Sequence, residues 1–95
     1  MIIVRGVNVY PSAVEEVIRS VGGVAEYQAR VSDCGALTEL AITIEPAPDC
    51  SDPLELTSRL ATAFESAFAL RIQIALAQPG SLPRYEMKAK RWVRG

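Results

Sequence analysis

A segment near the end of the chain concentrates side chains that could bind anions. Pro and Gly breaks at positions 79–83 predict a loop there. Beyond these breaks lie five of the ten Lys and Arg residues, opposed only by Glu86: Arg84, Lys88, Lys90, Arg91 and Arg94. Ammonium and guanidinium groups at this density suit phosphate or carboxylate oxygens. Composition alone is equally typical of a solvated basic tail.

A second group of residues interrupts an apolar, β-branched run at Met1–Val9. Arg5 and Gly6 break that run, which predicts a strand with a bulge or a close backbone approach at Gly6. Tyr10 precedes Pro11, and proline suits the first turn of a helix. A bulge followed by a helix start explains Gly6 and Pro11 without any ligand.

Composition excludes several classes of site. The chain contains no histidine, so it cannot form a His-based triad, a Cys/His dyad or a His metal ligand, and we expect no metal site. Its two cysteines, Cys34 and Cys50, are predicted to be reduced thiols of a cytoplasmic protein. The net charge is −1 and no apolar run reaches the roughly 18 residues of a membrane span, so we expect no membrane partner.

A nucleic-acid partner is not expected either. Tyr85 and Trp92 interleave the basic residues and could stack on nucleotides. The predicted strands, however, carry no run of exposed aromatic side chains like that of an RNA-binding sheet.

The hydrophobic content of 49% predicts one folded domain over residues 1–95, within which the apolar pattern predicts the elements that position these residues. Their order is strand, helix, strand, strand, helix, strand. The elements are a strand at Met1–Val9, a helix from Pro11 to the Gly22-Gly23 stop, strands at 25–32 and 39–45, a helix from Asp52 to about Phe68 and a strand at 71–77. We therefore predict the α+β class, as a ferredoxin-like βαββαβ fold with an antiparallel sheet, two helices on one face and a basic loop and tail at 79–95.

Local signals define the ends of these elements. Ser12 and Glu15 fit a capping box, and Asp52 before Pro53 fits an N-cap. A turn at 33–35 would join the two central strands as an antiparallel hairpin. In the last strand we expect three residues to face the core: Ile72, Ile74 and Leu76.

Two stretches of the sequence together carry a family resemblance. IIVRGVNVYPSAVEEV near the start and PGSLPRYEMKAKRWV near the end resemble the small C-terminal domain of phenylacetate-CoA ligases. These enzymes belong to the adenylate-forming superfamily of acyl- and aryl-CoA synthetases, and the resemblance covers most of the chain. It implies the lid domain of an ATP-dependent, AMP-forming ligase for a phenylacetate-like aryl acid. A large N-terminal adenylation domain would be its partner and would hold Mg-bound ATP and the acid.

The resemblance also assigns roles to residues. It implies that Lys88 is the adenylation lysine and that Lys90 and Arg91 contact phosphate or CoA. It implies that Gly6 lets the pantetheine arm of CoA pass close to the backbone, with Arg5 beside it. The chain departs from the family pattern at Met87, where a glycine usually precedes the lysine.

The same resemblance places the ATP-binding loop and an acidic hinge outside these 95 residues. We therefore expect the isolated chain to be inactive and to hold neither ATP nor CoA tightly. The chain would then be an excised lid or a free-standing homologue. The alternative is a stand-alone ferredoxin-like module that binds a regulatory ligand or partner without catalysis.

Overall fold

Two helices and two groups of strands make up the computed structural model, which describes residues 2–34, 37–78, 80–82 and 91–94. The elements in chain order are β1 (Ile2–Val4), β2 (Val7–Val9), α1 (Pro11–Val21), β3 (Val24–Cys34), β4 (Leu37–Pro46), α2 (Pro53–Phe68), β5 (Gln73–Leu76) and β6 (Trp92–Arg94).

The central sheet has the strand order β5-β4-β3-β6. Its inner strands, β3 and β4, pair antiparallel, which confirms the predicted hairpin. The outer strands run parallel to their neighbours, β5 beside β4 and β6 beside β3. The α+β class is confirmed and the architecture is consistent with a ferredoxin-like fold. The sheet is mixed, with an antiparallel centre and parallel edge pairs, because α2 carries the chain from β4 to β5 with its direction restored.

The first apolar run is a separate hairpin rather than one bulged strand of the sheet. Among the described strands, β1 and β2 pair with each other and with no other strand, and Val4 lies opposite Val7. The two residues between them, Arg5 and Gly6, form a tight turn that reverses the chain. Val4 and Val9 are buried in the core, so the hairpin is packed against the rest of the domain.

The helices begin and end largely where the sequence predicts. Asp52 caps α2, since its carboxylate accepts a hydrogen bond from the Glu55 N–H at 3.1 Å. Gly22 ends α1, and its N–H donates to the Ile18 carbonyl at 3.0 Å. The capping box predicted at Ser12 is wrong, because α1 begins one residue earlier at Pro11 and has no side-chain cap. Within the described ranges, no helix is both long and apolar enough to cross a membrane.

The β3–β4 hairpin is longer than predicted. Asp33 and Cys34 belong to β3, not to a turn, and β4 begins at Leu37. Asp33 pairs with Thr38, whose hydroxyl donates to its carboxylate at 2.9 Å, and this cross-strand contact extends the ladder. At the other end β4 continues to Pro46, opposite Val24.

One core joins the helices, the hairpin and the inner face of the sheet. Alternate residues of β3 and β4 share one face, as the strand period requires. The fully buried or nearly buried side chains on this face are Tyr27, Ala29, Val31, Leu40, Ile42 and Ile44. The helices cover them with their apolar stripes, and the buried helix residues are Val14, Ile18, Leu56, Leu60 and Phe64.

The edge strands differ from expectation. The tail includes β6, and its Trp92 is partly buried against the core. Ile72 is buried as predicted and Ile74 is partly buried, but Leu76 is 40% exposed, so its predicted core position is wrong. Leu76 is the last residue of the short edge strand β5.

Two leucines of α2 provide a matched test of this core. Leu60 is fully buried, whereas Leu54 is 74% exposed. Leu60→Ala should lower the free energy of unfolding by about 2–5 kcal/mol, because it removes buried methyl groups and leaves a cavity. Leu54→Ala should change it by no more than about 0.5 kcal/mol. Urea unfolding followed by circular dichroism measures both values, and equal losses would contradict this placement of α2.

Candidate functional site

The turn between β1 and β2 depends on backbone conformations that few residues adopt. Arg5 has φ of 49° and Gly6 has φ of 82°. Positive φ at both central residues is the signature of a two-residue hairpin turn of the I′ kind. A Cβ built on Gly6 would meet no atom within 4 Å. Backbone conformation rather than crowding therefore selects glycine here, and the backbone face at Gly6 is open.

Arg5 connects this turn to the central sheet. Its Nε donates to Oε1 of Glu39 on β4 at 2.9 Å, and its Nη2 donates to the same oxygen. Both side chains are exposed, at 54% and 37%. The hydrogen bond from Arg5, with its positive charge, lowers the pKa of the Glu39 carboxyl. The contact orients the turn but leaves both groups accessible to water.

A cleft of about 480 Å³ lies beside the same ion pair. Besides Arg5 and Glu39, it is lined by Ser32 and by two residues before and within β5, Arg71 and Gln73. Two arginines therefore line one open space next to the Gly6 turn. No local sequence signal marks Arg71, because the parallel pairing of β5 with β4 brings it there.

Two buried carboxylates lie opposite each other near the other end of the hairpin. Glu26 on β3 and Glu45 on β4 are cross-strand partners, and their residues are only 5% and 2% exposed. Like charges directly opposite on two strands repel, and a buried carboxylate without partners is costly by several kcal/mol. Glu26 accepts the N–H of the next residue, Tyr27, at 3.0 Å, and the pair requires further donors to offset its charge.

Arg91 supplies donors to Glu26 and to a third carboxylate. Its Nε donates to Oε1 of Glu26 at 2.6 Å and its Nη2 to Oε2 at 3.3 Å, a two-pronged contact. Its Nη1 donates to Glu15 of α1 at 3.2 Å. The guanidinium also lies 5.2 Å from the centre of the Tyr27 ring. Burial, followed by the charge of Glu15, raises the pKa of Tyr27, and the Arg91 charge opposes this rise.

Glu45 receives a donor from the other side of the basic segment. The Leu82 N–H donates to Oε1 of Glu45 at 3.3 Å. Leu82 and Arg91 flank residues 83–90, so the chain is fixed to the carboxylate pair both before and after that stretch. Lys88, Lys90 and Met87 lie outside the described residues, and the roles predicted for the two lysines stay predictions.

The structure separates the predicted site residues into two places. Arg5 and Gly6 lie together at the turn beside Glu39, whereas Arg91 lies with the Glu26–Glu45 pair. Glu39 and Glu45 are six residues apart on β4, which corresponds to about 20 Å along a strand. The predicted contact of Arg91 with phosphate or CoA stays untested, and its guanidinium is engaged by carboxylates. Among the described residues, no three acidic or cysteine side chains are grouped to hold a metal.

The carboxylate pair was missed by the sequence analysis, although a signal for it exists. If Cys34 and Leu37 pair at the end of the hairpin, counting back along both strands places Glu26 opposite Glu45. Two acids in one cross-strand pair would then have indicated an unsatisfied site that requires a cation.

Comparison with solved structures identifies the same architecture in CoA ligases. A domain of phenylacetate-coenzyme A ligase from Bacteroides vulgatus ATCC 8482 matches with a TM-score of 0.80 at 20% identity, over 99% of this chain and 91% of that one. 2-Hydroxyisobutyryl-CoA ligase in its postadenylation state, in complex with R3-HIB-AMP, matches with a TM-score of 0.85 at 22% identity. That match covers 100% of this chain and 21% of the ligase chain.

The same ligase in its thioesterification state, in complex with 2-HIB-AMP and CoA, matches with a TM-score of 0.81 at 24% identity. This match covers 96% of this chain and 20% of that one, so the chain spans about a fifth of the ligase. No curated protein matches the sequence.

The fold is therefore that of a small domain found in CoA ligases. The chain belongs to the family of AMP-binding enzyme C-terminal domains, whose family model matches residues 6–94. This match includes both the Arg5–Gly6 turn, from Gly6 onward, and the basic segment. The resemblance on which the residue roles rest is thus confirmed at the level of the family.

Titration of Glu39 tests the ion pair at the turn. Arg5→Gln removes the cation that lowers the pKa of Glu39, so that pKa should rise towards its ordinary value. A lowered pKa adds stability above the ordinary pKa of the carboxyl, and that contribution is lost as the pH falls through the lowered value. NMR titration of the Glu39 carboxyl carbon measures the shift. Identical titration curves in the two proteins would show that the pair does not persist in solution.

Proposed function

We propose that the chain is the lid domain of an ATP-dependent, AMP-forming acid–CoA ligase. It presents Lys88 to a large adenylation domain in one half-reaction and the Gly6 turn in the other. The observation that carries the proposal is the distance between the contacts of the two motifs' neighbourhoods on β4: Arg5 binds Glu39, whereas Leu82, which precedes the lysine motif, binds Glu45. A domain with two such sites can serve two successive steps by turning between them.

The first half-reaction explains the need for a cation. A carboxylate oxygen of the acid attacks the α-phosphorus of ATP, an acyl-adenylate forms and pyrophosphate leaves. The two reactants are both anions, and negative charge grows on the leaving group. The ammonium of Lys88 offsets this repulsion and holds the attack geometry. Its ordinary pKa near 10.4 keeps it charged at neutral pH.

The second half-reaction uses the face at the turn. The thiolate sulfur of CoA attacks the acyl carbon, a thioester forms and AMP leaves. The open backbone at Gly6 gives the pantetheine arm a path to the adenylate. Arg5 and Arg71, which line the adjacent cleft, provide guanidinium groups for the phosphates of CoA.

The rest of the enzyme lies in the remaining four fifths of a ligase of this size. The large N-terminal domain would bind Mg-bound ATP and an aryl acid of the phenylacetate type, in the cytoplasm. The lid alone lacks those binding loops, so the isolated 95 residues are expected to be inactive.

Lys88→Ala in the full-length enzyme tests the first step. Adenylation, measured as the rate of pyrophosphate release, should slow by about 10²–10³-fold, which is the usual effect of removing one preorganised charged donor. Thioester formation from purified acyl-adenylate should persist. Arg59→Ala removes an exposed cation of α2 and should change neither rate. Adenylation at the wild-type rate in Lys88→Ala would refute the role of this lysine.

Substitution of Gly6 tests the second step. Gly6→Trp should spare adenylation and slow thioester formation, because the indole would fill the open path beside the turn. Gly6→Ala introduces the same positive-φ strain without the bulk, so it separates strain from obstruction. Single-turnover assays measure each half-reaction. Loss of adenylation in Gly6→Trp, or equal thioester rates in the two variants, would contradict the two-site mechanism.

A further inference from the structure

The buried carboxylate pair has a role that the proposed function leaves open. We infer that Glu26 and Glu45 are positioning residues for Lys88, because together they fix both ends of the segment that carries it. The inference deepens the proposed function and rests on it, since it requires Lys88 to act in adenylation.

The carboxylate pair lies in the centre of the sheet. Glu26 and Glu45 sit directly opposite each other on the two inner strands, which have the most extensive pairing in the sheet. Both residues are almost completely buried. Side chains on neighbouring central strands have little freedom to move, so they can hold a bound segment at a fixed position.

Donors to the pair come from the chain on both sides of residues 83–90. Glu26 is bound through both oxygens by Arg91, and Glu45 accepts the Leu82 N–H. The Tyr27 N–H also donates to Glu26, but Arg91 is the cation that balances its charge. Burial makes each contact hard to replace with water, because an unpaired buried carboxylate is strongly disfavoured. The contacts that stabilise the two buried carboxylates therefore also hold Leu82 and Arg91 in place.

The chain between Arg91 and Lys88 is short. Lys88 lies three residues before Arg91 in the sequence. A chain spans at most about 3.5 Å per residue, so fixing Arg91 confines the Lys88 Cα to within about 10 Å of it. Adenylation depends on lysine placement at the ångström scale, where a displacement of about 1 Å can cost about 10²-fold in rate. Fixing Arg91 therefore limits the range of positions that Lys88 can occupy relative to the domain.

Arg91 connects this anchor to a helix as well. Its third contact is with Glu15 of α1, and its guanidinium lies over Tyr27. The end of the basic segment is consequently joined to both β3 and α1. Any rotation of the domain therefore carries Arg91 with it.

The test uses the full-length enzyme with isosteric substitutions that remove one charge. Glu26→Gln and Glu45→Gln should each lower the kcat of adenylation by about tenfold. The KM for ATP and thioester formation from purified acyl-adenylate should stay within about twofold. Glu16→Gln, which alters an exposed carboxylate of α1, is the matched control and should leave both half-reactions unchanged.

A double-mutant cycle distinguishes positioning from other effects. If Glu26 acts through Lys88, Glu26→Gln should cause no further loss in the Lys88→Ala background. A second tenfold loss in that background would overturn the inference while leaving the proposed function intact. Wild-type adenylation in both glutamine variants would overturn it too. Wild-type adenylation in Lys88→Ala alone would overturn the proposed function, and the inference with it.

A readout independent of activity covers the case in which a variant is unstable. Arg91→Lys keeps the positive charge but loses the two-pronged contact with Glu26. Trypsin cleavage after Arg84, Lys88 and Lys90, followed by mass spectrometry, should be about tenfold faster in Arg91→Lys and Glu26→Gln than in Glu16→Gln. Circular dichroism at the same temperature establishes that each variant is folded. Equal cleavage rates in folded proteins would overturn the inference.

Discussion

Two carboxylates that face each other across β3 and β4 impose the strongest electrostatic constraint on this domain. Glu26 and Glu45 are buried on neighbouring strands, an arrangement that is unfavourable unless cations or N–H groups reach both of them. One donor to Glu26 is local, the Tyr27 N–H, whereas Arg91 and Leu82 donate from far along the chain. The need to satisfy a pair in the centre of the sheet therefore favours the observed positions of Leu82 and Arg91.

The rest of the architecture separates two kinds of surface. Around the carboxylate pair the contacts are at least partly buried, and the Arg91 side chain is only 17% exposed. Around the β1–β2 turn, the Arg5–Glu39 pair is exposed and the backbone at Gly6 is open. The surface at the carboxylate pair is suited to holding a segment in place, and the surface at the β1–β2 turn is suited to transient binding. A domain that serves two half-reactions needs both properties at once.

Much of the fold could be predicted from local patterns. The alternation in β3 and β4 and the caps of α2 depend on residues close in sequence, and the structure confirms them. The β1–β2 hairpin was missed because Arg5 and Gly6 interrupt an apolar run in the same way as a bulge does. Only the positive φ of both residues distinguishes the two cases. The parallel placement of β6 was also missed, since parallel pairing leaves no turn in the sequence to mark it.

The candidate site was less accessible to such reasoning. Physical arguments identified a basic segment, but its assignment to adenylation came from the resemblance to a ligase family. The partners of Arg91 are 65 and 76 residues away in sequence, so no local pattern could indicate them. The charges of Glu26 and Glu45 were visible in the sequence, yet their meaning depended on the hairpin register and on which face was covered.

The position of β6 also bears on how the domain is made. β3 gains its second described neighbour only when Trp92 pairs beside Ala29, and Trp92 lies far along the chain from β3. Until then that edge of β3 is open and Glu26 lacks its guanidinium partner. Arg91 supplies the guanidinium and the next three residues form the edge strand. Pairing of the sheet edge and neutralisation of the Glu26 charge are therefore expected to occur in the same folding step.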